Sequence, residues 1–296
     1  MILLTGASGF LGKVISEEFK KRLLPVVTIG RSLSNTIRCD LSVQIPALPP
    51  VEMVVHAAGK AHSVPKTLSE KRSFYNTNVE GTRHLLMALE NIPLSKFIFI
   101  SSVAVYGVTT GLEINEETSL RAKDPYGKSK IIAEDLIRNW CKDRNIAYYI
   151  LRLPLIAGEN PPGNMGEMIN GIRSGKYYSI GKASARKSIV LATDVARFIT
   201  GISGPSGEYN LTDGYHPTFK ELETKIAGHY GKKKPVSLPL MFVKALSYMG
   251  DIIGKKFPVN SLRLNKIISN LTFSDHRARE LLNWKSNQVL KNWMVE

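Results

Sequence analysis

The sequence predicts an α/β fold built on a doubly wound parallel sheet, followed by a smaller C-terminal region. Short apolar runs alternate with segments of helical spacing over the first half of the chain. A glycine-rich loop follows the first apolar run, and the pattern loosens after about residue 153. We therefore expect residues 1–153 to hold the sheet and residues 154–296 to form mainly the smaller region. Some later segments are expected to return to the sheet.

Five apolar runs predict the strands, because strands buried on both faces of a parallel sheet are apolar throughout. They cover residues 2–5, 26–29, 53–56, 97–101 and 148–151. Helices are predicted between them over 10–23, 78–90 and 125–141. The first of these ends in Lys20, Lys21 and Arg22, and cations suit a helix C-terminus. Asp124 can cap the last helix, where Pro125 suits its first position.

Composition excludes several classes of protein. The chain has 296 residues, of which 43% are hydrophobic and 22% charged, values of a folded globular protein. Cys39 and Cys141 give neither a disulfide framework nor zinc-ligand spacing, so we expect a reducing, cytoplasmic setting and no metal. The first residues lack the features of a signal peptide. No run reaches the roughly 18 apolar residues of a membrane span.

The formal charge of +15 admits partners of three kinds: nucleic acid, anionic lipid and phosphorylated small molecules. Residues 231–266 contribute strongly, with eight basic side chains and one acid. No nucleic-acid recognition motif is present, so nucleic acid is not expected.

The glycine-rich loop predicts a phosphate site. Glycine lets the backbone approach a pyrophosphate, and the helix that follows presents free N–H groups and a positive dipole end. The segment has G-x-x-G-x-x-G spacing between a strand and a helix, a context that indicates a Rossmann dinucleotide-binding domain. Its expected cofactor contacts are Gly6, Ser8, Gly9, Phe10, Leu11 and Gly12.

The end of the second strand predicts which dinucleotide binds. Arg31 and Ser32 stand where an acid would favour NAD, and an arginine can instead pair with the 2′-phosphate of NADP. NADP is therefore the expected cofactor, with NAD as the alternative. Asp40 and Leu41 are expected beside the adenine. After the next strand, small residues leave room for the cofactor: Ala57, Ala58 and Gly59.

Tyr126 and Lys130 predict the catalytic chemistry. They are four residues apart and share one helix face. A free tyrosine has a pKa of about 10, which is too high for a base at neutral pH. The Lys130 ammonium, the helix N-terminus and a cationic nicotinamide would all favour the phenolate. Ser102 follows a strand at the carboxyl end of the sheet and can hydrogen-bond both Tyr126 and a substrate oxygen.

Together these motifs resemble the extended short-chain dehydrogenases/reductases, within them the sugar-nucleotide epimerase/dehydratase/reductase family. The T-G-x-x-G-F-L-G loop, the S-S-x-x-V-Y-G strand end and Y-x-x-x-K occur in the expected order. The resemblance spans nearly the whole chain and is greatest to UDP-4-keto-6-deoxy-HexNAc 4-reductases and bacterial UDP-sugar 4-epimerases. It implies that Ser102, Tyr126 and Lys130 form the catalytic triad and that Lys130 also holds the nicotinamide ribose. Asn78 matches the family's N-x-x-G-T helix.

The resemblance also implies residues for the substrate half, which would bind a nucleotide-diphosphate sugar that we expect to be UDP-linked. Pro154 lies in an R-x-P-x-x-x-G segment and is expected near the cofactor. Asn164 is expected near the nucleotide. Arg186 and Lys187 stand near a family arginine that holds the diphosphate, although lysine lacks the fork of arginine. His62 lies in a neighbourhood that resembles the 4-reductases and 4-epimerases.

Three functions remain open. The first is NADPH-dependent reduction of a UDP-4-keto-6-deoxy-HexNAc, favoured by Arg31. The alternative is a UDP-hexose or UDP-HexNAc 4-epimerase with bound NAD, using the same residues. The second alternative is a non-catalytic dinucleotide-binding regulator, although such relatives usually lose the Tyr or the Lys. A 4,6-dehydratase is disfavoured because Val103 and Ala104 replace the acid pair that follows the catalytic position in dehydratases.

The segment 238–253 is strongly apolar and has basic residues on both sides. Apolar helices with basic flanks can lie on anionic bilayers. The segment is also compatible with a packed helix or a homodimer element. The sequence leaves weak peripheral membrane association through 231–266 and homodimerisation open.

Overall fold

The computed structural model describes residues 1–61, 65–253 and 260–294. Its strands are β1 (Ile2–Thr5), β2 (Val26–Gly30), β3 (Ile37–Arg38), β4 (Met53–His56), β5 (Lys96–Ser102), β6 (Gly111–Ile114), β7 (Ala147–Leu153), β8 (Leu155–Ala157), β9 (Ser179–Ile180), β10 (Ile189–Leu191), β11 (Gly207–Asn210), β12 (Ser237–Leu238) and β13 (Leu271–Phe273). Seven of them form one parallel sheet in the order β11-β7-β5-β4-β1-β2-β3. The fold class predicted from the sequence, a doubly wound parallel sheet, is confirmed.

The helices are α1 (Phe10–Lys21), α2 (Leu68–Tyr75), α3 (Gly81–Ala88), α4 (Pro125–Asp143), α5 (Gly163–Arg173), α6 (Ala192–Gly201), α7 (Phe219–His229), α8 (Leu240–Ile253), α9 (Ser261–Ile268), α10 (His276–Leu282) and α11 (Val289–Asn292). A π-helical segment, Asn76–Glu80, joins α2 to α3, and a 3-10 turn, Val103–Tyr106, follows β5. Asp124 accepts a hydrogen bond from the Gly127 N–H, so α4 has the predicted cap.

The strand register brings the functional ends of the strands to one edge of the sheet. Thr5 at the end of β1 is paired with His56 at the end of β4. Ser102 at the end of β5 lies opposite Leu153 at the end of β7. Since parallel strands all point the same way, their carboxyl ends meet at the edge where open α/β sheets bind ligands.

Apolar side chains cover both faces of the sheet. One core packs α1 and α6 against the strands and includes Leu4, Ile15 and Ile199, all almost fully buried. The core on the opposite face packs α3 and α4 against the strands and includes Leu85 and Phe97. The sheet is therefore buried on both sides, which explains why its strands read as continuous apolar runs.

The second half of the chain contributes to both the sheet and the regions around it. β11 pairs with β7 and extends the sheet by one strand. Ala278 and Leu282 of α10, together with Trp284, join the core that contains α1. Three two-stranded sheets, β8 with β10, β9 with β12 and β6 with β13, complete the strand pairing among the described residues. A separate core joins α5 and α7.

The predicted strands coincide with the observed ones to within two residues at either end, but one helical region differs. A helix was predicted to start at residue 78. In the structure the helical region starts earlier, with α2 at Leu68, and continues through residue 78. α2 was missed because only Phe74 of its eight residues is buried, so it has little apolar periodicity. Its start depends on a capping box between Thr67 and Glu70.

Among the described residues, no helix combines the length and the apolar character that a transmembrane span would need.

Leu85 and Met87 give a matched test of the core between α3 and the sheet. Both lie on α3, but Leu85 is fully buried and Met87 is 52% exposed. We expect Leu85→Ala to lower the free energy of unfolding by about 2–5 kcal/mol, because it removes packing atoms and leaves a cavity. Met87→Ala should change it by less than about 0.5 kcal/mol. Urea unfolding of both variants measures this, and equal losses would contradict the assigned core.

Candidate active site

The loop between β1 and α1 is shaped for a phosphate. A Cβ on Gly12 would lie 1.9 Å from the Gly6 carbonyl oxygen, so only glycine permits this approach. Gly6 itself has φ +74°, a conformation that side chains disfavour. Gly9 caps α1 without a side chain, and the first turn carries no acid. The first N–H groups of α1 and its positive dipole end therefore suit the pyrophosphate of a dinucleotide.

A series of hydrogen bonds joins the ends of β1 and β4 to the start of α3. The Ala58 N–H donates to Thr5 Oγ1, which is 2.7 Å from His56 Nδ1. His56 Nε2 is 3.0 Å from Thr82 Oγ1, and this hydroxyl donates to the Asn78 carbonyl. These hydrogen bonds are mutually consistent when His56 carries its proton on Nε2. Burial lowers the pKa of His56 to about 3, so His56 is a neutral connector and not a base.

Arg31 and Asp40 lie near each other at the end of β2. Arg31 and Ser32 are exposed. Asp40 accepts hydrogen bonds from the Ser42 N–H and hydroxyl, at 3.0 and 2.7 Å. Burial by itself would raise the pKa of the Asp40 carboxyl. The bonds from Ser42 and the Arg31 charge outweigh that effect, so the net result is a lowered pKa. Leu41 is buried. This corner thus offers both a cation and an anion to a ribose, and the choice of NADP stays a prediction.

Asn78 lies in the π-helical segment and is almost fully buried. Its Oδ1 accepts from the Lys60 N–H at 2.7 Å, and its Nδ2 donates to Ser129 Oγ at 2.8 Å. Ser129 in turn donates to the Tyr126 carbonyl. The Asn78 amide thus ties the loop after β4 to the first turn of α4. The predicted contact between Asn78 and a cofactor stays a prediction.

The small residues after β4 allow α4 to approach. Ala57 and Ala58 are half-buried, and Gly59 is more exposed. A Cβ on Gly59 would lie 3.2 Å from Lys130 Nζ and 3.2 Å from Asn78 Oδ1. A side chain here would therefore press on the Lys130 ammonium.

Ser102, Tyr126 and Lys130 are brought to the same end of the sheet. A hydrogen bond joins the side chains of Ser102 and Tyr126. Lys130 lies one helical turn after Tyr126, and its Nζ donates to the Ile100 carbonyl at 2.8 Å. The ammonium also lies 4.4 Å from the Phe99 ring centre, a favourable cation–π contact.

Burial lowers the pKa of Lys130 to about 8, although the nearby Glu134 charge opposes the shift. Burial also raises the pKa of Tyr126. The hydrogen bond with Ser102 opposes this rise, and the negative charge of Asp124 adds to it. Burial therefore disfavours the phenolate, and the predicted effect of Lys130, the helix terminus and a bound nicotinamide on it stays a prediction. The physical reason for the raised pKa is that Tyr126 loses more hydration on burial than it gains from its polar neighbours.

A buried ion pair missed in the sequence lies one turn beyond Lys130. Glu134 and Arg152 are 0% and 3% exposed, with Arg152 Nη2 2.8 Å from Glu134 Oε2. The Ser101 hydroxyl donates to Glu134, and Arg152 Nη1 donates to the Tyr106 hydroxyl. Burial disfavours the Arg152 charge, but hydrogen bonding to Glu134 outweighs this and raises its pKa. The available signal was the Y-x-x-x-K-x-x-x-E spacing, which puts Glu134 on the face of Lys130.

Of the remaining predicted residues, Pro154 was expected near the cofactor and the others near the substrate. Pro154 joins β7 to β8 and is half-buried, and Asn164 is exposed in the first turn of α5. Arg186 is exposed, and its guanidinium donates to the His216 carbonyl at 3.0 Å. His62 lies outside the described residues.

Lys187 requires a correction, because its side chain does not face a substrate. Its Nζ donates to the carbonyls of Lys266 and Ser269, each at 2.8 Å, and Lys187 is 8% exposed. These carbonyls belong to the last turn and C-cap of α9, where a cation is favourable. Lys187 therefore caps α9, and the contact of exposed Arg186 with a diphosphate stays a prediction.

The Glu134–Arg152 pair yields a stability test. We expect Arg152→Met to lower the free energy of unfolding by about 3–5 kcal/mol, because it leaves the Glu134 carboxylate buried without its partner. Arg22→Met, which breaks an exposed ion pair with Glu18, should cost at most about 1 kcal/mol. The double variant Glu134→Leu/Arg152→Met should recover part of the loss. Chemical denaturation gives the values, and a loss for Arg152→Met no larger than that for Arg22→Met would refute the assignment.

Comparisons with known proteins identify relatives of this chain. The chain is 28% identical over 300 residues to N-acetyl-alpha-D-glucosaminyl-diphospho-ditrans,octacis-undecaprenol 4-epimerase of Escherichia coli O157:H7, with 92% of this chain and 86% of the relative covered. It is 24% identical to a UDP-glucose 4-epimerase of Vibrio cholerae, with 98% and 92% covered. Both are sugar 4-epimerases by name.

Solved structures share the fold. The structure of MoeE5 in complex with UDP-glucuronic acid and NAD matches with a TM-score of 0.77 at 21% identity, covering 97% of this chain and 94% of the other. The model of the NAD dependent epimerase/dehydratase family matches residues 2–204, more than two thirds of the chain. The chain belongs to the NAD-dependent epimerase/dehydratase family and is an enzyme of the sugar-nucleotide reductase or epimerase type.

Proposed function

We propose that the chain is an NAD-dependent 4-epimerase of a diphosphate-linked sugar, with a UDP-linked hexose or N-acetylhexosamine as substrate. The observation that carries this proposal is the grouping of Ser102, Tyr126 and Lys130 beside the glycine loop. The relatives described above, which are 4-epimerases, support this choice of reaction.

Each residue of the group has a proposed task. Ser102 donates a hydrogen bond to the oxygen on sugar C4, and Tyr126 removes the proton of that hydroxyl and later returns it. Lys130 holds the nicotinamide ribose and keeps a positive charge near the Tyr126 oxygen. When bound, NAD supplies a hydride acceptor and donor, and its oxidised ring adds a charge that favours the phenolate.

The 4-keto reductase hypothesis uses the same residues and has less support. It depends on Arg31 as a ligand of the 2′-phosphate of NADP. Arg31 lies near the Asp40 carboxylate, whose negative charge would oppose a 2′-phosphate there, and the family that matches the chain is NAD dependent. The non-catalytic alternative is weakened by the retention of both Tyr126 and Lys130 in hydrogen-bonded positions.

A second candidate substrate is a sugar carried on a lipid diphosphate. The relative from Escherichia coli O157:H7 is named for such a substrate and matches 92% of this chain. A UDP-sugar and a lipid-diphosphate sugar share the diphosphate, for which exposed Arg186 is the proposed ligand. They differ in whether a nucleoside or a lipid lies beyond it.

The purified protein distinguishes epimerase from reductase. We expect it to carry NAD and to interconvert UDP-N-acetylglucosamine and UDP-N-acetylgalactosamine, or the corresponding hexoses, with no added cofactor. The matching lipid-diphosphate sugars, tested in detergent, decide between the two substrate classes. Chromatography of the products and of the cofactor released by denaturation gives both readouts. Stoichiometric NADPH oxidation with a 4-keto sugar nucleotide, and no epimerisation, would overturn the proposal.

Tyr126→Phe tests the proton transfer. The variant keeps the ring and its burial but loses the hydroxyl, so we expect kcat to fall by a factor of about 100 to 10,000. Cofactor binding should stay within a few-fold, as measured by the NAD that copurifies. Tyr75→Phe, on an exposed tyrosine of α2, is the matched control and should keep full activity. Full activity in Tyr126→Phe would exclude Tyr126 as the acid and base.

A further inference from the structure

The solvent-facing side of α8 carries apolar side chains. Met241, Ala245, Tyr248 and Ile252 recur at spacings of four and three residues and form one stripe along the helix. A second stripe beside it contains Phe242, Met249 and Ile253. The large side chains of the two stripes are between 52% and 87% exposed. A helix on the surface of a globular protein normally directs polar residues outward, so this face requires a separate explanation.

The inward face of α8 is already used for packing. Val243, Ser247 and Gly250 are buried, and their spacing places them opposite the exposed stripes. α8 packs against α9, where Asp251 accepts hydrogen bonds from the Ser261 N–H and hydroxyl. The outward stripes are therefore not required to hold α8 in the fold.

The apolar surface extends beyond α8. Val236 precedes the helix and is 68% exposed, and Leu262 and Ile267 on α9 are 61% and 41% exposed. Of the 22 large apolar side chains exposed among the described residues, nine lie between residues 236 and 267. This concentration distinguishes the α8–α9 surface, as we name these nine residues, from isolated exposed apolar residues elsewhere.

The charged side chains around this surface are basic, apart from Asp251. Exposed lysines precede it at Lys232, Lys233 and Lys234, and Lys244 lies on α8 itself. Arg263 and Lys266 follow on α9. Within the described part of 231–266, Asp251 is the acid, and Ser261 binds its carboxylate. The α8–α9 surface thus combines exposed apolar side chains with a basic border.

We propose that the α8–α9 surface docks on an anionic lipid bilayer. Its exposed apolar side chains would enter the region between headgroups and acyl chains, and the lysines would contact anionic headgroups. A second copy of the chain is a poorer occupant, because a symmetric contact would bring the same basic border against itself. α8 lies on the surface of the bilayer in this arrangement and does not cross it.

Vesicle sedimentation tests the docking. We expect the full chain to sediment with phosphatidylcholine vesicles that contain phosphatidylglycerol, and not with vesicles of phosphatidylcholine alone. Added salt should release it, because it screens the attraction between lysines and headgroups. No sedimentation with the anionic vesicles, or equal sedimentation with both, would overturn the proposal.

Two variants separate the apolar and the charged contributions. Lys232→Gln/Lys233→Gln/Lys234→Gln should weaken binding by more than about tenfold, since each lysine contributes separately. The matched control, Lys20→Gln/Lys21→Gln/Lys142→Gln, removes three exposed lysines elsewhere and should change binding by much less. Equal weakening by the two triple variants would show a net-charge effect and overturn the assigned surface.

Phe242→Ser/Ile252→Ser should also weaken vesicle binding by more than about tenfold. Leu23→Ser/Leu68→Ser removes two exposed leucines away from the surface and is its control. Thermal unfolding checks that each variant is folded, and sedimentation velocity without vesicles measures the oligomeric state. The proposal would be overturned if Phe242→Ser/Ile252→Ser left vesicle binding unchanged. It would also be overturned if the parent bound no vesicles but formed a dimer that this variant converts to a monomer.

Discussion

The buried ion pair between Glu134 and Arg152 is the constraint on which the site depends. It joins α4 to β7, and the hydroxyls of Ser101 and Tyr106 extend it to β5 and the turn that follows. Two charges in the interior are tolerated only when each is paired and hydrogen-bonded. Such a pair permits little sliding, so it fixes both the position and the rotation of α4 relative to the sheet.

The position of the reactive groups follows from that rotation. Tyr126 and Lys130 lie two turns and one turn before Glu134 on the same face of α4, so fixing Glu134 directs both toward the carboxyl ends of the strands. The Ile100 carbonyl and the Phe99 ring then receive the Lys130 ammonium, and Gly59 leaves it room. The Asn78 amide holds the opposite side of the first turn through Ser129. The site is thus assembled by the backbone and by polar side chains that do not react.

The sequence predicted five of the seven strands of the sheet, because apolar runs are local signals, but it did not predict the short β3 or the late β11. The glycine loop, Tyr126 and Lys130 could be placed from their neighbours along the chain. The partner of Glu134 could not, because Arg152 lies 18 residues away on another element and nothing local marks the pair. Lys187 was misassigned for the same reason. Its charge suggested a phosphate ligand, but the carbonyls that bind it belong to α9, about 80 residues later.

The core around α1 also determines when the protein can finish folding. It contains Ile15 from the first helix and Trp284 from near the end of the chain, and the Trp284 ring packs on Phe198. During synthesis the first half of the chain leaves the ribosome long before Trp284. The part of this core that Ala278, Leu282 and Trp284 cover must therefore wait with apolar side chains exposed, the condition in which nascent chains recruit chaperones or aggregate. The last part of the sequence thus limits the folding of the first, and we expect slow, non-local closure of this core.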